Sequence, residues 1–455
     1  MTMTAASSVR LFGGLASCLV WFGCRDGVEP GPTFVEVASL RAAPSNQLDI
    51  LFVIDDTQLE NQTNLANNIA TLFSAITIDG AIPELHVGAI TSDMGTRNSL
   101  DPLQPAPPVG NVGMGGCAGT GKDGALQTFG ASISGGERFI SDLAATDGTR
   151  LTNYNGTLEE VTSQILKAGA GGCGFEQPLA ALRRALVNPT NTGFFRPDAG
   201  LAVIVLSDED DCSIRDPAMF DESAVALGEL QSFRCTQFGV ECDEDIAVPG
   251  AKSNCRPADQ SVYLDAIALA ADDLERDRPD GSVVVAGIFG DPEPVVVELR
   301  GPPGGGPPIN ALGHSCSVTD VTGTANLLVG DPGVRLASFV DQFGARGVWT
   351  SVCLPSYALA LTEIARATKQ LLGVGCVDTS GLADDSADPG VQPRCTARDA
   401  AGDIPRCPGD GTCFDLVVDP AACPGAGQLR VTFQRSTPAA SVTSVACERA
   451  AAATE

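Results

Sequence analysis

Asp55, Asp56 and Thr57 follow directly on the apolar run Ile50-Leu51-Phe52-Val53-Ile54, and Ser207 and Asp208 follow directly on Leu201-Ala202-Val203-Ile204-Val205-Leu206. Each run is short, continuous and rich in β-branched residues, the pattern of a strand buried on both faces of a parallel sheet. Parallel strands bring their C-terminal ends to one edge, where open α/β sheets bind ligands. Carboxylates and hydroxyls gathered there can hold a hard cation through oxygen. The pattern points to binding in preference to catalysis.

Other chemistry is scarce. The chain has two histidines, His86 at the start of an apolar strand and His314 in a loop beside Cys316. No Gly-x-Ser-x-Gly elbow or His-Glu-x-x-His helix occurs, so the expectation is a protein that is not an enzyme. Gly116-Cys117-Ala118-Gly119-Thr120-Gly121-Lys122-Asp123 comes near a phosphate-binding loop. Asp123 stands where a Ser or Thr would hold magnesium, and Pro105, Pro107 and Pro108 precede it in place of a strand. It reads as a turn, and no nucleotide is expected. The acidic runs Asp208-Glu209-Asp210-Asp211 and Glu241 to Asp245 are read as solvated loops, with irregular calcium cages as the rival reading.

The strand ends need elements to hold them. After strand 49–55, Leu65, Ile69, Leu72, Phe73 and Ile76 share one helical face. His86 to Thr91 is a short buried strand, and 96–135 reads as a Gly/Pro-rich inserted loop. Phe175, Leu179, Leu182 and Leu186 form a second helical stripe leading into strand 201–207. A cysteine-bearing insertion (212–255), a helix (260–276), strand 283–289, a Pro/Gly-rich insertion (291–333), strand 348–352 and a helix capped by Gly373 complete the series. Repeated strand–helix units predict an α/β fold: a doubly wound, mainly parallel sheet with helices on both faces, over residues 46–375. Residues 376–455, with six cysteines and short apolar runs, are expected to form a small disulfide-rich, β-containing domain.

The chain carries 56 Asp and Glu against 28 Lys and Arg, a net charge of -28, which argues against nucleic acid and anionic membrane surfaces as partners and suits cations or basic partners. Sixteen cysteines without one Cys-x-x-Cys pair argue for disulfides in an exported protein. Arg10 followed by the apolar run Leu11 to Gly23 reads as a signal peptide (1–24), followed by a flexible tether (25–45). Cys24 is the preferred lipidation site because cutting there leaves 14 other cysteines, an even number; Cys18 is the alternative. The expected location is the bacterial cell envelope, outer membrane or cell surface, with the lipid anchor as the sole membrane contact. A secreted protein without lipid is the alternative.

Together these residues resemble a von Willebrand factor A domain, of the kind found in exported bacterial lipoproteins with a Cys-rich tail. In that family the first strand ends in Asp-x-Ser-x-Ser, a Thr opens a later helix, and the fourth strand ends in Thr/Ser-Asp-Gly. Together they bind a divalent cation in the metal-ion-dependent adhesion site. Here the motifs stand as Asp55-Asp56-Thr57-Gln58-Leu59 and Ser207-Asp208-Glu209, with Cys173 at the Thr position. The resemblance implies metal ligands at Asp55, Thr57 and Asp208, while Leu59 has no donor and Cys173 is too soft for magnesium. The site is therefore degraded, with magnesium or calcium bound weakly or not at all. In an oxidising compartment Cys173 is expected in a disulfide, and Cys117 is one candidate partner. The function implied is a surface-anchored adhesion protein meeting a protein ligand on the strand C-terminal edge. A structural envelope protein with a vestigial site is the alternative, and an enzyme with an unrecognised carboxylate site is the third reading.

Overall fold

The computed structural model describes residues 33–302, 306–319, 326–409, 411–439 and 441–450. The expected signal peptide and both candidate lipidation cysteines, Cys18 and Cys24, lie outside the described residues.

The elements run β1 Phe34–Leu40, β2 Gln47–Ile54, α1 Leu59–Ile76, β3 Glu84–Thr91, β4 Ile140–Ala144, β5 Arg150–Thr152, α2 Leu158–Ile165, α3 Pro178–Val187 and β6 Gly200–Leu206. Then come α4 Phe233–Gly239, β7 Val240–Glu241, β8 Gly250–Lys252, β9 Arg256–Pro257, α5 Ala268–Glu275, β10 Val283–Phe289, β11 Val295–Arg300, β12 Ile309–Leu312, β13 Cys316–Thr319 and β14 Asn326–Gly330. The series closes with α6 Val334–Asp341, β15 Gly347–Ser351, α7 Ala358–Lys369, β16 Gly375–Asp378, β17 Cys395–Asp399, β18 Gly402–Ile404, β19 Cys413–Val417, β20 Gln428–Gln434 and β21 Thr443–Glu448.

A seven-stranded sheet in the order β15-β10-β6-β2-β3-β4-β5 forms the centre. The five strands from β15 to β3 are parallel, and β4 and β5 extend the edge antiparallel. The sheet is thus mixed, and β4 and β5 correct the sequence reading, which placed no strand between 92 and 200. β6 and β10 are buried at every position, as strands covered on both faces must be. Alternate residues of β2 serve opposite cores. Leu48, Ile50, Phe52 and Ile54 pack with α1, α2 and α7. Leu51 and Val53 pack with α3, α5 and α6.

Four expectations need correction. The third helix is shorter than 260–276 and begins at Ala268. The second helical stripe does not include Phe175, because Pro178, with its fixed φ and missing N–H, starts α3 at its first turn. The Pro/Gly-rich insertion 291–333 forms β11 to β14, paired as β12-β11-β8 and β13-β14. The tether is ordered over 34–40: β1 pairs antiparallel with β21 and buries Ala38 and Leu40 in the core of the C-terminal sheets. Phe34 to Glu455 accordingly cluster as one unit. Gly373 ends the last helical turn at φ 82°, a left-handed conformation that suits glycine.

All 14 cysteines from Cys117 to Cys447 are paired, in seven disulfides. That density belongs to an oxidising compartment and identifies an exported or extracellular protein. Among the described residues no helix is long and apolar enough to cross a membrane.

Candidate functional site

The loops that follow β2, β3 and β6 meet over the C-terminal edge of the sheet, and backbone hydrogen bonds tie them together. Asp55 N–H donates to the Leu206 carbonyl (2.9 Å), linking the ends of β2 and β6. Gly172 N–H donates to Asp56 O (2.9 Å), Gln177 N–H to Ser92 O (3.1 Å) and Cys212 N–H to Glu176 O (2.7 Å). Asp331 N–H donates to Asp208 O (2.7 Å), which brings in the end of β14. A Cβ on Gly172 would fall 2.3 Å from Asp56 Oδ1, so only glycine permits this approach.

Asp55 is 3% exposed and uses both oxygens. Its Oδ1 accepts from Thr57 N–H (2.9 Å) and Thr57 Oγ1–H (2.7 Å), and Ser207 Oγ lies 3.1 Å from Oδ2. Asp208 is 6% exposed, and its Oδ1 has no hydrogen-bond partner. Burial first, then the charges of Asp55 and Glu209, hold its pKa well above the ordinary carboxylate value. Asp55, Thr57, Ser207 and Asp208, far apart in sequence, therefore form one patch of oxygen donors.

Leu59 opens α1 with its side chain half exposed at the same edge. Cys173 is not at a helix opening; it lies in the loop before α3 and is bonded to Cys117. That disulfide fastens the inserted loop 92–139 to the loop before α3, and both sulfurs are unavailable as ligands.

Two residues without an assigned role complete the cluster. Glu176 is fully buried, with one carboxylate oxygen hydrogen-bonded to the Ser92 hydroxyl and Oε1 unpartnered. Burial, then the charges of Asp55 and Asp56, raise its pKa well above the usual range. Lys122, from the loop that came near a phosphate-binding motif, pairs with Asp56 Oδ2. Burial nevertheless lifts Asp56 to about 6, against the opposing pull of Lys122. Neither contact has a local sequence signal: Glu176 is three residues past Cys173, and Lys122 is 66 residues from Asp56. A buried acid in a loop next to a strand end is visible as a ligand only when the fold brings it there.

The acidic run after β6 is partly structural. Asp210 accepts the N–H groups of Arg335 and Leu336 at the start of α6 (3.0 Å each). Asp211 is fully buried against Arg335 (2.9 Å). The reading of this run as solvated is corrected: its last two members bind α6. The run around Cys242 is exposed and internally bonded, with Glu244 accepting from Ser253 and Asp243 from Asn254. His86 is buried, its Nδ1 2.9 Å from the Phe194 carbonyl. His314 pairs with Asp331 (2.7 Å).

The donor set at the strand ends suits an oxygen-seeking cation: it is all oxygen, and two of its buried carboxylate oxygens lack partners. Among the described residues no three His, Cys, Asp or Glu side chains already form a metal cage. The fit is one of donor chemistry.

No family model matches the chain, and no curated protein matches it. Solved structures similar to it include the conserved hypothetical protein BatB from Bacteroides thetaiotaomicron, 12% identical at a TM-score of 0.27, covering 72% of this chain and 98% of that one. The pilus adhesin SpaC from Lactobacillus rhamnosus GG is 10% identical at a TM-score of 0.28, covering 90% of this chain and 40% of that one. Likenesses this distant carry no argument about function.

Proposed function

We propose that this chain is an exported binding protein with a von Willebrand factor A-like domain that meets a protein partner on the strand C-terminal edge of its central sheet. The observation that carries this reading is the cluster of Asp55, Asp56, Asp208 and Glu176 at that edge, with buried carboxylate oxygens left unpartnered on three of them. Buried carboxylates without partners are costly, and Lys122 answers one of them. Their raised pKa values are the uncharged answer to that cost; a bound positive charge would be the other.

A divalent cation is the charge we assign to it. Asp55, Thr57, Ser207, Asp208 and Glu176 would hold it, with Glu176 taking over where Leu59 and Cys173 fail. Once bound, the cation would offer an open coordination position to a carboxylate of the partner. Leu59 at the opening of α1, and Val112 and Met114 on either side of Gly113, which lies against Gly171 beside the Gly172–Asp56 contact, are exposed at 49%, 67% and 83%, apolar surface suited to a protein contact. Anchoring through a lipid on Cys24, with Cys18 as the alternative, would hold the domain at the envelope surface.

A photo-crosslinking side chain in place of Met114 or Leu59, in cells that make the protein, tests this reading. Both positions are expected to yield an adduct that Asp55→Ala abolishes. The same probe at Val418, 76% exposed in the disulfide-rich region, should give none. Equal labelling from Val418, or none from Met114 and Leu59, would contradict the proposal.

A further inference from the structure

Between α3 and α5, on the flank of the sheet, lies a cavity of about 520 Å³. That is the size of a small-molecule site. Ala180 and Leu186 of α3, Leu274 of α5 and Phe195 give it apolar walls. Five arginines also line it, in a chain that carries only 28 basic residues against 56 acids. Four of them are ion-paired in place, on three carboxylates. Arg97 and Arg184 share Asp123. Arg183 spans Asp265 (3.0 Å) and Asp273 (2.7 Å), and Arg276 also pairs with Asp273.

Arg278 is the exception. Among the described residues it forms no ion pair. Its guanidinium lies over the Phe195 ring, 5.7 Å from the centroid, and its Nη1 is buried without a hydrogen-bond partner. Arginine is a donor only, so this N–H needs an acceptor from outside the protein, a water or a ligand. An acceptor that carries charge gives the stronger bond.

We propose that the α3–α5 cavity binds an amphipathic monocarboxylate, with its carboxylate on Arg278 and its apolar body against Leu186, Phe195 and Leu274. A single charge is favoured because one guanidinium has no ion-pair partner, and Asp277, which also lines the cavity, repels more highly charged anions. The site does not depend on the acidic edge or on any cation bound there.

The test is calorimetric titration of the oxidised full chain with decanoate, below its micelle concentration, beside decan-1-ol, which has the same body and no charge. Decanoate is expected to bind one-to-one. Arg278→Gln should weaken it tenfold or more, the loss of a charge-assisted hydrogen bond, while Arg278→Lys restores part of the affinity. Decanol should bind the native chain at least tenfold less tightly than decanoate, and that difference should vanish in Arg278→Gln. Leu186→Trp, which fills the cavity, should block both ligands. Arg278→Met, which keeps an apolar stem against Phe195 and carries no N–H donor, should melt no lower than the native protein; this separates a ligand contact from a structural role. Absence of saturable decanoate binding would overturn the proposal. So would equal affinity for decanol, or binding untouched by both Arg278→Gln and Leu186→Trp.

Discussion

Replacing Asp211 by Ala should be among the most damaging single changes in the acidic run. Its Oδ1 accepts from Leu179 N–H (3.1 Å) at the start of α3 and from Ser213 Oγ–H (2.6 Å). Its Oδ2 accepts from Ser213 N–H (3.2 Å) and from Arg335 Nη2 (2.9 Å). The side chains of Asp211 and Arg335 are 0% and 1% exposed, so alanine would leave a buried guanidinium with carbonyl partners alone. Breaking a buried ion pair from one side costs about 3–5 kcal/mol. Unfolding entropy of about 2.1 cal/mol/K per residue, over the span from Phe34 to Glu455, gives a slope of about 0.9 kcal/mol per degree. The melting temperature should therefore fall by about 3–6 °C, read by calorimetry on the oxidised protein. Asp211→Asn, which keeps an acceptor, should fall less. A drop under about 1 °C for Asp211→Ala, or restoration of the lost stability by calcium, would refute the reasoning and return the run to the status of a calcium loop.

Two further outcomes follow from the same contacts. Removing the bridge between Cys117 and Cys173, 56 residues apart, with a double Ser variant should cost about 4 kcal/mol through the freed loop entropy of the unfolded chain, measurable as a lower urea midpoint. Burial raises Asp56 and Asp210 to about 6, so the folded state holds those protons more tightly than the unfolded state, and stability falls as pH climbs from about 4 to about 6. At neutral pH each such group costs up to about 3 kcal/mol. Melting temperatures across that window should decline, and Asp56→Asn should flatten part of the decline; a rise in stability over the same window would contradict the assignment.

The sequence made the parallel strands legible because burial on both faces leaves continuous apolar runs, as in β2, β6 and β10. The helix over Leu59–Ile76 was equally clear, since its periodic residues are the ones buried. β1, Phe-Val-Glu-Val-Ala-Ser-Leu, was missed because its half-exposed alternation looked like tether and its partner, β21, lies some 400 residues away. β11 to β14 were hidden because Pro and Gly residues dominate the sequence around these short strands. At the site, Asp55, Thr57 and Asp208 were readable because strand ends fix where they stand. Glu176 and Lys122 were not, since their approach depends on how two long loops cross and on the bridge that fastens them.

Calorimetric titration of the oxidised protein with magnesium, manganese and calcium tests the central claim most directly, beside Asp55→Ala and Glu176→Gln. The account predicts heat at one-to-one stoichiometry that Asp55→Ala abolishes and Glu176→Gln weakens. No heat with any of the three ions, or heat unchanged in Asp55→Ala, would contradict it and leave the acidic edge without a cation.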